Sequence, residues 1–144
     1  MAGMPAEPYL AAEMAAAASL DWAARVRAAR QLATAADQTG IAQVLLALLL
    51  DPGDTAVTDA ACLALLGRAD IHATRLVARA VALADGEQLD HLYGAIAGYL
   101  LPDGPVHQFR ALCRDLSRDP DPVIQDGTRS LISWTGPWEA TEQP

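Results

Sequence analysis

Apolar side chains recur at every third or fourth position along this chain, and Pro, Gly and Asp break the pattern at nearly regular intervals. That period belongs to helices with one buried face, whereas strands would alternate at every second position. Eight helical segments follow. The first, from about Pro8 to Ala18, sets Tyr9, Leu10, Met14 and Ala17 on one side and Glu13 off it, with Pro8 suited to a first turn. The second opens at Asp21, an N-cap residue, and carries Trp22, Val26, Ala29, Leu32 and Ala33 along one stripe. Gly40 closes the link after it. The third, Ile41 to Leu50, is apolar nearly all round, which places it centrally in the core or under another chain. Asp51-Pro52-Gly53-Asp54 is then a turn.

The fourth segment, Thr55 to Leu66, turns Val57, Ala60, Ala61, Ala64 and Leu65 inward, with Gly67 as its C-terminal cap. Asp70 caps the fifth, Ile71 to Ala84, which buries Ile71, Leu76, Val77, Ala80 and Leu83 and leaves Arg75 and Arg79 on the solvent side. After the Asp85-Gly86 break, the sixth, Glu87 to Leu101, has Leu89, Leu92, Tyr93, Ile96 and Leu100 at core spacing. It ends at Pro102-Asp103-Gly104-Pro105. The seventh, Val106 to Ser117, faces Phe109, Leu112, Cys113 and Leu116 inward. Asp119-Pro120-Asp121-Pro122 leads into the eighth, whose Val123, Ile124, Gly127, Leu131 and Trp134 face the core. One domain over residues 8–135 follows, flanked by a flexible N-terminus at 1–7 and a polar tail at 136–144.

The even-numbered segments begin at Asp21, Asp54, Asp85 and Asp121. Their aliphatic anchors Val26, Val57, Leu89 and Ile124 recur at intervals of 31, 32 and 35 residues. Helix pairs of that length cannot bury their apolar faces alone, so each stacks on its neighbour and an α-solenoid is expected. The competing arrangement is a compact bundle of irregular helices. The run Asp21-Trp-Ala-Ala-Arg-Val26-Arg27-Ala28-Ala29-Arg-Gln-Leu32 resembles the second helix of a HEAT repeat, in which Asp, a gap and Val-Arg precede Ala and Leu. Asp54-Thr-Ala-Val57-Thr-Asp-Ala60-Ala61-Cys-Leu63 is similar without the Arg, and Asp119-Pro-Asp121-Pro-Val123-Ile124-Gln-Asp-Gly127 keeps the turn with Gly in place of the small Ala. The resemblance to the HEAT-repeat (armadillo-like) family implies an all-α fold, a right-handed α-α superhelix of about four HEAT-like helical hairpins whose second helices line the concave face. It implies no single activity.

Composition narrows the partners. Ala and Leu dominate a chain that is 52% hydrophobic and 5% aromatic, which favours helix over sheet. Ten arginines and no lysine face eighteen acids, for a net charge of -8. That balance works against binding a phosphate backbone, so no nucleic acid is expected. The run Ile41 to Leu50 is about half the length of a bilayer span, and no basic residue precedes Arg25 as a secretory leader would require. A cytoplasmic protein that does not enter membranes is expected. Cys62 and Cys113 lack Cys-x-x-Cys spacing and read as free core thiols.

No reaction is legible. Phosphate-binding glycine loops are missing, and His72, His91 and His107 lie on different helices without a second His or Cys one turn away. Neither a metal nor another cofactor is expected. Asp51, Asp54 and Asp59 lack the ligand spacing of a calcium loop and read as turn and cap residues, as do Asp119 and Asp121. Gly94 and Gly98, one turn apart on the sixth segment, weaken a helix interior and need a reason. Either another helix of the same chain packs closely there, or a ligand or partner helix does. Trp22 and Trp134 suit the ends of the core, while Trp138 either folds back or anchors a partner.

Projected outward, the even segments bring Arg27 and Arg30, then Thr58 and Asp59, then Asp90, His91 and Gly94, then Gln125, Asp126 and Arg129 towards one surface. This strip is the candidate partner-binding face, positive at its start and acidic beyond. The expected function is a non-enzymatic protein–protein interaction module, an adaptor or an immunity-type inhibitor. It would act as a monomer or weak homodimer on a partner with a basic surface. The alternative is a HEAT-like lyase or other small-ligand-binding enzyme component, for which Asp59, Asp90 and His91 are the nearest acid–base groups.

Overall fold

A short carboxylate just before a helix can accept hydrogen bonds from the first free backbone N–H groups, and aspartate does this at five helices here. The computed structural model describes residues 7–101 and 104–135. Its helices are α1 (Glu7–Ala17), α2 (Trp22–Leu32), α3 (Thr39–Leu49), α4 (Thr55–Arg68), α5 (Ile71–Leu83), α6 (Gly86–Leu100), α7 (Gly104–Leu116) and α8 (Pro122–Trp134), with a 3-10 turn at Ala33–Ala35. No strand occurs among the described residues. Asp21, Asp54, Asp70, Asp85 and Asp121 accept from the N–H groups of Ala23, Ala56, Ala73, Gln88 and Val123. At Asp85 the cap is reciprocal, because the Asp85 N–H donates to Gln88 Oε1 at 3.1 Å. The expected flexible N-terminus up to residue 6, the polar tail with Trp138, Pro102 and Asp103 of the breaker, and the side chain of Tyr9 lie outside the described residues.

Packing is centred on α4, whose Val57, Ala61, Cys62 and Leu65 are fully enclosed. Helices α2 and α6 flank it in one layer, and α3 and α5 pack behind it. Helix α1 lies against α2 and α3, and α7 against α5, α6 and α8. Leu32, Leu45, Leu49, Leu92, Ile96, Ile124 and Leu131 complete the interior, each withdrawing enough apolar area to favour folding by about 2 kcal/mol. Alanines such as Ala28, Ala29, Ala73, Ala78 and Ala80 separate them, so neighbouring helix axes can lie close. Among the described residues no helix is long and apolar enough to cross a membrane.

Polar side chains join turns that are distant in sequence. Arg25 donates to Ser19 O at 2.8 Å and to both carboxylate oxygens of Asp51, at 3.0 and 3.3 Å, tying the α1–α2 turn to the α3–α4 turn. Gln88 extends the series by donating to Leu50 O at 2.8 Å. At the opposite helix ends, Arg68 donates to Ala33 O at 2.8 Å while pairing with Asp70. Arg75 and Arg79, expected on the solvent side of α5, instead hold Asp119 at 2.8 Å and Asp121 at 2.9 Å. Two acids in an Asp-Pro-Asp-Pro turn thus fasten that turn to α5.

Several inward assignments need correction. Trp22 and Leu83 are about half exposed because each stands at a helix terminus, beyond the reach of the adjoining helices. Tyr93 is also half exposed, and its ring meets edge-on, at 5.1 Å, that of Trp134, which itself packs against the core as expected. Glu13, expected off the apolar side of α1, is half-buried, its Oε1 enclosed with no hydrogen-bond partner among the described residues. Gly67 does not cap α4. The helix continues to Arg68, and Ala69 takes the left-handed conformation at φ 56°, held between the anchored Arg68 and the Asp70 cap of α5. Helix α8 packs most heavily on α5, not on α6. Gly127 permits this, since a Cβ there would stand 1.8 Å from Ala78 O.

Candidate surface groove between α4 and α6

Residues four apart form a row along one side of a helix, and two such rows bound an open groove between α4 and α6. On α4 the exposed row is Thr55, Asp59, Leu63 and Gly67. On α6 it includes Gly94 and Gly98, beside the half-buried His91, Ala95 and Tyr99. Asp59 and Leu63 from α4 and His91, Gly94, Ala95, Gly98 and Tyr99 from α6 line a space of about 410 Å³. A Cβ built on Gly94 or Gly98 would meet nothing within 4 Å. No other described helix packs closely against these glycines, and their missing side chains leave the groove more open.

Charge is distributed unevenly around this site. Asp51, Asp70, Asp115, Asp119, Asp121 and Asp126 each pair with an arginine. Asp59 on the groove wall and Glu87 and Asp90 on the exposed side of α6 make no ion pair with any described residue. Across α4, Arg27 and Arg30 are exposed on α2 and are likewise unpaired among the described residues. The outward side of the α2–α4–α6 layer is thus cationic over α2 and anionic over α6.

The structure gathers some of the sequence-derived site residues and separates others. Asp59, His91 and Gly94 line one groove, and Asp90 lies beside it on α6. Thr58 is buried at 3% exposure, because it lies a full 100° round the helix from Asp59 and faces the core. Gln125, Asp126 and Arg129 belong to α8, which leaves the α2–α4–α6 layer to pack on α5. Gln125 Nε2 donates to Asp119 O at 2.6 Å, and Arg129 pairs with Asp126 at 3.2 Å on an exposed turn. Leu63, Ala95, Gly98 and Tyr99 complete the groove although the outward projection did not include them. The signal for Leu63 and Gly98 was present in the sequence, since each stands four residues after a chosen position, Asp59 and Gly94.

Two other depressions differ in character. One of about 420 Å³ between α3 and α5 is lined by His72, Arg75 and Arg79, whose guanidinium groups are already engaged by Asp119 and Asp121. The other, about 470 Å³ between α1 and α3, is walled by Met14, Val44, Ala47 and Leu48. Helix α3, expected to be central or covered, buries Ile41, Leu45, Leu48 and Leu49 and leaves Gln43 and Ala47 exposed here.

The thiols of Cys62 and Cys113 are free and buried, as their apolar setting foretold, and burial pushes both up to about 12. Thiolate chemistry has no footing there. Among the described residues no three His, Cys, Asp or Glu side chains converge as a metal ion would need. Compared with family models, with curated proteins and with solved structures, the chain gives no match.

Proposed function

We propose that this chain is a non-enzymatic protein-interaction module of HEAT-like architecture, an adaptor or immunity-type inhibitor working in the cytoplasm as a monomer or weak homodimer. Its partner docks on the outward side of α2, α4 and α6, the side that a right-handed superhelix of hairpins would make concave. One observation carries this reading. The α4–α6 groove is open, lined by two glycines with free space at their Cβ positions, and bordered by acids that make no ion pair with any described residue. Polar stitches between successive turns support a stacked, rigid scaffold beneath that surface. Charges of both signs on one side supply orientation as well as attraction.

Affinity purification of the tagged full chain from its native cell, read by mass spectrometry, tests the assignment. A stoichiometric protein should co-purify. Capture should fall about tenfold for Arg27→Ala with Arg30→Ala, and again for Asp59→Asn with Asp90→Asn, while helical circular dichroism stays unchanged. A co-purifying pigment or nucleic acid in place of a protein, or capture indifferent to both pairs, would overturn it.

A further inference from the structure

We propose that the occupant of the α4–α6 groove is a basic amphipathic α-helix of the partner protein; this deepens the interaction-module reading and rests on it. Shape argues for a helix. Side chains four apart make the ridges through which helices interlock, and at Gly94 and Gly98 such a ridge is missing for about one turn. What remains is a trough into which the ridge of another helix fits with its backbone close. Recognition by strand addition would need an open strand edge, and the described residues contain no strand. Glycine also weakens a helix where alanine would fit freely, as it does at both positions, so the trough itself is what these residues provide.

The lining sets the chemistry of the incoming helix. Leu63, 44% exposed, together with Ala95 and Tyr99, offers apolar contact to an apolar stripe. Asp59, Glu87 and Asp90 await cations, whereas six other aspartates of the chain have an arginine of their own. No arginine lines the groove. A helix with Lys or Arg on both flanks of its apolar stripe would meet these acids, while Arg27 and Arg30 would repel that helix from α2, confine it to the α4–α6 side, and themselves take acidic groups elsewhere on the partner's surface.

The test titrates the 15N-labelled full chain with three synthetic peptides: a Lys/Leu/Ala amphipathic helix, the same sequence with Glu for Lys, and the basic sequence interrupted by Pro. The basic helix should shift the amide resonances of Gly94 and Gly98, and the other two peptides should not. Gly98→Leu fills the trough without meeting any neighbour at its Cβ and should abolish these shifts. Asp59→Asn with Asp90→Asn should weaken binding about tenfold at low salt. The proposal is overturned if the acidic or Pro-interrupted peptide binds equally well. Basic-peptide shifts that avoid the groove and survive Gly98→Leu would overturn it too. Partner capture separates the two levels: capture that survives Gly98→Leu but not Arg27→Ala with Arg30→Ala keeps the module and removes the groove helix. Capture lost with Gly98→Leu supports both.

Discussion

Three glycines within helices show how one residue type serves opposite ends. Gly127 lets α8 seat against Ala78 of α5, so Gly127→Ala should lower stability by about 3 kcal/mol as the two helices separate. Gly94 and Gly98 face open space, and alanine at either should raise stability by about 1 kcal/mol. Urea denaturation of the three variants decides this, and a destabilised Gly94→Ala would mean that the groove is closed in solution. A similar contrast holds for the thiols. With Cys62 and Cys113 raised to about 12 and enclosed, the native protein should resist a thiol reagent at pH 8 and react at both sites only when unfolded. Rapid labelling of the native chain would contradict their burial. The sequence already marked both cysteines as core residues, because apolar neighbours at helical spacing leave a small side chain little alternative.

Helices and their turns were largely legible from the chain, since capping is a local affair: Asp21, Asp54, Asp70, Asp85 and Asp121 announce helix starts within three residues of themselves. Long-range use of the same residue type was not. Nothing near Arg75 indicates that Asp119 lies beside it in space, and helical spacing alone assigned Arg75 to solvent. Their pairing makes stability depend on pH. The hydrogen bond from Arg75 holds the Asp119 carboxyl below its ordinary 3.8, and the Val123 N–H with Arg79 does the same for Asp121. At Asp70 burial pushes upward, but the Ala73 N–H and Arg68 outweigh it and bring that carboxyl down as well. Carboxyls lowered in the folded state add stability that is fully present above their unfolded values near 3.8. It is lost as pH falls through the lower folded values. Thermal melts should therefore show a steep drop in stability below about pH 4. Asp119→Asn should cost about 1 kcal/mol at pH 7, tempered by the solvent exposure of Arg75, and the gap to the parent should close in acid. A constant gap down to pH 2 would show that Asp119 contributes nothing through its charge.

Taken together, the helices divide into a regular part and an exception. Apolar period, helix-forming composition and aspartate punctuation specify eight helices in nearly the observed places, because each of these signals acts within a turn or two of the chain. They also place Asp59, His91 and Gly94 on the outward side of neighbouring helices, since outwardness follows from the same period. Which helices become neighbours was decided in three dimensions. The even-numbered series suggests a strip running on to Gln125, Asp126 and Arg129, yet α8 crosses to α5, where the bare backbone of Gly127 and the paired Asp119 and Asp121 find their complements. The groove has the same origin. Sequence shows two glycines a turn apart, but whether the space above them is filled or empty depends on how far α4 and α6 stand from each other and from the rest of the chain, and no local signal encodes that distance.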